Sequence, residues 1–132
     1  MKKYLLLILS GIFLLQSCYK DVGPIEEQAE ETQEISYSRN IQPIFDQNCV
    51  SCHPSSGNLD LTASNSYNEL VNVTASGYQG ILVVPGDSES SVLYKKIDGS
   101  NVYGSNMPLG RSLSASQIAL IKRWIDEGAQ NN

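Results

Sequence analysis

The feature that most constrains this 132-residue chain is a pair of cysteines two residues apart with a histidine directly after them. Cys49, Val50, Ser51, Cys52 and His53 form the pattern C-x-x-C-H. Two thiols at this spacing can add to the two vinyl groups of a haem, and the adjacent imidazole then lies on one face of the ring, where it can bind iron. The pattern therefore predicts one covalently attached haem c, around which the chain must fold.

Three other interpretations of the cysteine pair have to be weighed. A structural zinc site needs four N or S ligands, and the chain has only three Cys and one His, of which Cys18 has another predicted use. A redox dithiol expects a strand before the C-x-x-C, whereas residues 39–48 are patterned as a helix. A disulfide across two residues would close a tight and strained loop. We therefore favour the haem.

Residues 1–17 are typical of a lipoprotein signal peptide. Lys2 and Lys3 precede an apolar run over residues 5–15, which is too short to span a bilayer as a mature helix. The run ends in Leu-Gln-Ser-Cys, which resembles a bacterial lipobox with Cys18 as its last residue. The resemblance implies cleavage before Cys18 and acylation of that residue, and several acyl chains give firm membrane attachment. The alternative is an ordinary signal peptide with an incidental cysteine.

Residues 18–35 are predicted to be the lipidated cysteine and an acidic, flexible tether. Between residues 19 and 34 six carboxylates stand against Lys20, and large apolar side chains are few. Such a composition favours a solvated segment over a packed one. The net charge of the whole chain is −5, which argues against nucleic acid as a partner. The remaining residues, 36–130, are predicted to form one small domain, which a buried haem would help to stabilise.

The pattern of apolar residues in this domain is mainly helical. Ile41, Ile44 and Phe45 form an i, i+3, i+4 stripe that predicts a helix over residues 38–48. A short helix is predicted over residues 67–72, and an extended segment over residues 81–86.

Two further helices are predicted in the second half of the domain. Asp87 or Ser88 is a candidate cap for a helix through residues 92–97. Ser114 and Gln117 have the spacing of a capping box that begins the last helix, and Gly128 can end it. Trp124 of that helix is predicted to pack in the core, close to the cofactor.

Met107 is the candidate for the second axial ligand of the iron. His53 is the only histidine, so ligation by two histidines within the chain is excluded. Met107 lies in a polar, irregular loop that offers it little to pack against, and a thioether is a soft ligand suited to haem iron. Pro108 stiffens the loop directly after it. The alternative is a partly buried loop methionine without a bond to iron.

Several segments, taken in order, resemble a small class I c-type cytochrome domain of the kind frequent in Bacteroidetes and planctomycete proteins. They are Ile41-Gln42-Pro43-Ile44-Phe45 running into Cys49–His53, Val84-Pro85-Gly86-Asp87 with Ser90-Ser91-Val92-Leu93-Tyr94, Met107-Pro108, and Leu113-Ser114 through Trp124-Ile125-Asp126-Glu127-Gly128-Ala129. The resemblance implies an all-α, small cytochrome c-like fold around one covalent haem. It also implies thioether bonds at Cys49 and Cys52, with His53 as proximal and Met107 as distal ligand.

The resemblance implies a monohaem electron carrier, not an enzyme. We expect it to pass single electrons between a donor and an acceptor protein at the cell envelope, as a monomer anchored by lipid, most simply in the outer membrane facing the periplasm. Five cations could steer a partner or pair with haem propionates: Lys95, Lys96, Arg111, Lys122 and Arg123. One alternative is a ligand-binding, sensor or peroxidase-like haem protein with a displaceable distal ligand. Another is a docking lipoprotein with a structural haem.

Overall fold

The computed structural model describes residues 34–132. The predicted signal peptide, the lipidation site Cys18 and all but the end of the acidic tether lie outside the described residues. Within residues 34–132 the fold is helical, and no helix there is long and apolar enough to cross a membrane. The extended chain between helices pairs only through isolated bridges, such as those of Val71 with Val83 and Thr74 with Ile81.

The first helical segment confirms the prediction for residues 38–48. It begins as a π-helical turn, Tyr37–Ile41, and continues as α1, Gln42–Asn48, with Pro43 in the first turn, where its missing N–H leaves no bond unmade. The predicted stripe of Ile41, Ile44 and Phe45 is buried. This helix therefore places its apolar face in the core and ends directly before Cys49.

The last helix, α4, Ala115–Asp126, begins and ends as the sequence predicts. Ser114 Oγ accepts from Gln117 N–H at 3.2 Å, and Gln117 Oε1 accepts from Ser114 N–H at 3.0 Å, which is the reciprocal capping box. Gly128, just past the end, adopts a φ of 101°, a conformation that favours glycine. Both signals were readable because capping depends on residues close in sequence.

Between these helices lie α2, Ser66–Leu70, and α3, Val92–Ile97. The prediction that Asp87 or Ser88 caps α3 is wrong, since the N-cap residue is Ser91. The carboxylate of Asp87 instead accepts from Ser90 N–H at 3.0 Å, and Ser91 Oγ donates to Asp87 O at 2.8 Å. These bonds close a turn that delays the start of the helix by several residues.

Aromatic side chains form the centre of the core. The ring of Tyr37 lies 5.1 Å from Trp124, 5.2 Å from Tyr67 and 6.4 Å from Phe45, measured between centroids. Trp124 is 1% exposed and its indole N–H donates to Gln130 O at 3.0 Å. This packing joins α4 to the first helical segment, so the core role predicted for Trp124 is confirmed.

A buried chain of hydrogen bonds runs beside this aromatic centre. Tyr37 OH donates to Ser66 Oγ, and Ser66 Oγ donates to Gln42 Oε1, both at 2.6 Å. The amide of Gln42 donates in turn to Leu61 O at 3.0 Å. Burial raises the pKa of Tyr37 to about 12, so its hydroxyl keeps the proton that it donates.

Removal of the middle hydroxyl should destabilise the domain. Ser66→Ala leaves the donor of Tyr37 and the acceptor of Gln42 without a partner, so we expect the free energy of unfolding to fall by about 1–3 kcal/mol. Denaturant titration measures it, with Ser64→Ala at an exposed position as the control, expected within about 0.5 kcal/mol of the parent. Equal stabilities of the two variants would show that the buried chain contributes nothing.

The two ends of the described chain are joined by a clasp. The main-chain oxygen of Asn132 accepts from Ser38 N–H at 3.0 Å and from the hydroxyls of Ser36 and Ser38 at 2.9 Å each. Its side-chain oxygen accepts from Tyr37 N–H at 2.8 Å. Two free N–H groups of the first turn, those of Tyr37 and Ser38, are thus satisfied by Asn132, and packed contacts extend two residues past the predicted domain end at 130.

Candidate cofactor site

A cavity of about 810 Å³ opens between the end of α1 and the loops on either side of α3. Its volume lies within the range of roughly 300–1,000 Å³ that is usual for cofactor sites. Four stretches of the chain supply most of its wall: residues 48–49 with 51–53, residues 56–59 with 61, residues 73–78, and residues 107–109 with 111. Leu82 and one side of α3 complete it. The candidate site residues predicted from the sequence lie around this cavity.

The C-x-x-C-H segment coils directly off the end of α1. Cys49 N–H donates to Phe45 O at 2.8 Å, and the N–H groups of Cys52 and His53 both donate to Cys49 O, at 3.0 and 2.9 Å. These turns put Cys49, Cys52 and His53 on one wall of the cavity. Both cysteines are free thiols, Cys49 half-buried and Cys52 exposed.

The environment of Cys49 differs from that of a reactive dithiol. Burial raises the pKa of the Cys49 thiol to about 11, and the nearby guanidinium of Arg111 offsets this only in part. Nucleophilic cysteines of redox motifs have a lowered pKa instead. A helix, not a strand, precedes the pair. Both observations count against the dithiol interpretation.

The imidazole of His53 is oriented by one hydrogen bond. Its Nδ1 lies 2.8 Å from the carbonyl oxygen of Ser56, which can only accept, so in the neutral imidazole Nδ1 carries the proton and Nε2 keeps its lone pair. This arrangement is the one that metal-binding histidines adopt.

The carbonyl that orients His53 belongs to a tight turn, Ser56–Asn58. Gly57 has a φ of 71°, and a Cβ at this position would lie 3.9 Å from His53 Cε1. Gly57 O accepts from Ser76 Oγ at 2.7 Å, which ties the turn to the part of the cavity wall formed by residues 73–78. Ser56 and Ser76 could not be predicted from the sequence, because nothing in a Ser- and Gly-rich loop indicates which hydroxyl or carbonyl will face a histidine.

Met107 lies on the wall of the same cavity, although it is far from His53 in the sequence. It is half-buried, and its N–H donates to Lys96 O at 2.6 Å. The structure therefore brings together all four residues that the sequence predicts for this site: Cys49, Cys52, His53 and Met107.

The five cations considered from the sequence divide into two groups. Lys95 pairs with Glu89 and Asp98, Lys122 with Asp126, and Arg123 with Glu127.

Lys96 and Arg111 line the cavity instead, where the wall, as far as residues 34–132 supply it, has no carboxylate. Arg111 donates to the carbonyls of Gln47 and Asn48 at 3.3 and 3.2 Å, beside Cys49. This side of the molecule is therefore cationic in an otherwise acidic chain.

No group of three His, Cys, Asp or Glu side chains among residues 34–132 is placed to hold a bare metal ion. Cys49, Cys52 and His53 are therefore not arranged around one point as the ligands of a zinc ion would be.

Comparison of the chain with protein-family models, with curated proteins and with solved structures finds no match.

Proposed function

We propose that this chain is a monohaem c-type cytochrome with a small cytochrome c-like fold, which carries single electrons between two redox proteins. One observation carries the proposal: a single cavity of cofactor size is lined by all four residues that the sequence predicts as haem-binding from their side-chain chemistry. They are Cys49, Cys52, His53 and Met107. Two thiols, an imidazole and a thioether are together the set that attaches a haem and fills both of its axial positions.

The cavity wall fits a flat apolar ring better than it fits a bare ion. Leu61, Leu82, Val92, Leu93 and Ile97 give it apolar sides. A bare cation would require several charged or polar ligands in one place, and such a cluster is missing from the described residues. The hydrogen bond at Nδ1 leaves Nε2 of the neutral His53 imidazole available to bind iron, and neither Cys49 nor Cys52 is engaged in a disulfide.

When bound, haem supplies an iron that cycles between the ferric and ferrous states. The chain's own part is to hold and tune it. Cys49 and Cys52 would hold the haem through two thioether bonds, and His53 Nε2 and the Met107 sulfur would bind its iron. The carbonyl of Ser56 accepts a hydrogen bond from His53 Nδ1–H and so fixes the tautomer and orientation of the imidazole. If both residues bind the iron, no position is left for a substrate, which favours an electron carrier over an enzyme.

We further propose that the mature chain begins at an acylated Cys18 and is anchored in the cell envelope, in the outer membrane facing the periplasm. The apolar run over residues 5–15 and the position of Cys18 directly after it support this location. Export also agrees with haem attachment, which bacteria carry out beyond the cytoplasmic membrane.

Absorption spectra of the full chain, matured in a host that attaches haem c, test the proposal. We expect a covalent low-spin haem in both oxidation states, and in the oxidised state the weak far-red band that reports a sulfur–iron bond. A high-spin spectrum that shifts with carbon monoxide would favour a ligand-binding protein instead. Absence of covalent haem would contradict the cytochrome assignment.

A further inference from the structure

Lys96, near the end of α3, uses every donor of its ammonium group within the chain. Its Nζ donates to Ser105 O at 2.7 Å and to Tyr103 O and Tyr78 OH at 3.2 Å each. Since a lysine has three N–H donors, none is left for another acceptor. All three partners are neutral, and two of them are carbonyls of the loop that leads to Met107.

The main chain of Lys96 holds the same loop at a second point. Its carbonyl is one of the last four in α3, which have no partner inside the helix. Met107 N–H donates to this oxygen at 2.6 Å. Side chain and main chain of one residue therefore fix the loop immediately before Met107 and at Met107 itself.

The neighbouring Lys95 shows that this role is specific to Lys96. Lys95 lies on the same helix, but its ammonium pairs with the carboxylates of Glu89 and Asp98, and it does not line the cavity. Lys96 makes no ion pair with any carboxylate of residues 34–132. With its donors already used, it is also a poor partner for a haem propionate or for an acidic protein.

We propose that Lys96 is a positioning residue, which holds the loop over residues 103–107 so that the Met107 sulfur stays at the cavity. This inference rests on the proposed function, because it assigns the residue that keeps the distal ligand in place. The loop before Met107 is rich in Gly, Ser and Asn, and such a segment loses much conformational entropy when it is fixed. The bonds to Lys96 offset that loss and keep the sulfur near its binding position.

The test compares two variants of the full, haem-loaded chain, Lys96→Gln and Lys95→Gln. Each removes one positive charge from adjacent positions of α3, so a purely electrostatic effect on the haem would appear in both. We expect Lys96→Gln to lose at least half of the intensity of the far-red sulfur–iron band, and Lys95→Gln to keep the parent intensity. Lys96→Arg, which keeps the charge and can still donate to the two carbonyls, should recover part of the loss.

The outcomes separate this inference from the proposed function. Equal band intensities in Lys96→Gln and Lys95→Gln would overturn the positioning role while leaving the cytochrome intact, and so would a complete lack of recovery in Lys96→Arg. A parent protein without the band would contradict Met107 as ligand, and with it the inference. If Lys96→Gln does not accumulate, Lys96→Leu, which keeps part of the apolar stem of the side chain, is measured in its place.

Discussion

The double variant Cys49→Ala, Cys52→Ala should contain no covalent haem at all. Both thiols lie on the wall of the one cavity that also holds His53 and Met107. Thioether bonds need a sulfur atom at each vinyl group, and no other cysteine lies among residues 34–132. The expected effect is therefore all-or-none, larger than that of any packing change in this domain.

Intact mass and haem staining on a denaturing gel measure this result directly. Val50→Ala is the matched control, because Val50 lies between the two cysteines but packs against the core. The control should keep one covalent haem per chain. Haem that stays attached to the double variant through denaturation would contradict the assignment of both cysteines.

The second large effect is expected for Met107→Ala. Methionine opposite histidine raises the reduction potential of haem, and axial ligands together set such potentials over about 0.8 V. Removing the thioether should lower the potential by on the order of 0.1 V. It should also abolish the far-red sulfur–iron band, since the chain has no other methionine beyond the initiator.

Potentiometric titration with spectroscopic detection gives both readings in one experiment. Val102→Ala is the control, because Val102 is 64% exposed in the loop that precedes Met107 and does not line the cavity. It should leave the band and the potential unchanged. If Met107→Ala keeps the band and the potential of the parent, Met107 is a loop residue and the distal position is filled by something else.

The secondary-structure features that the sequence predicts correctly are those that depend on residues close together in the chain. The stripe at Ile41, Ile44 and Phe45 and the capping box at Ser114 depend on residues three or four apart, and the structure has both. The cap of α3 was placed wrongly at Asp87 or Ser88, because a turn competes for the same side chains. In that turn Ser91 Oγ bonds with both Asp87 and Val84, so the turn decides where the helix can begin.

The site could be predicted only as far as residue chemistry shows it. The spacing of Cys49, Cys52 and His53 identifies them in the sequence, and Met107 is identified as the one methionine beyond the initiator. The sequence gives no such signal for Ser76, Ser56 or Lys96, because their roles come from contacts that only the folded chain creates. Ser76 Oγ donates to Gly57 O in the cavity wall, and Lys96 looks in sequence like its neighbour Lys95.

If the chain is anchored as proposed, the clasp at Asn132 has a mechanical consequence. If the chain is pulled through the residues before Glu34, the load enters where Asn132 grips Ser36, Tyr37 and Ser38. Ten helical residues, roughly 15 Å at about 1.5 Å each, separate that grip from the first cysteine. A pulling force would thus act first on the hydrogen bonds between Asn132 and residues 36–38, which can break and form again. Under the proposed anchoring, the cavity wall at Cys49–His53 would not carry that load.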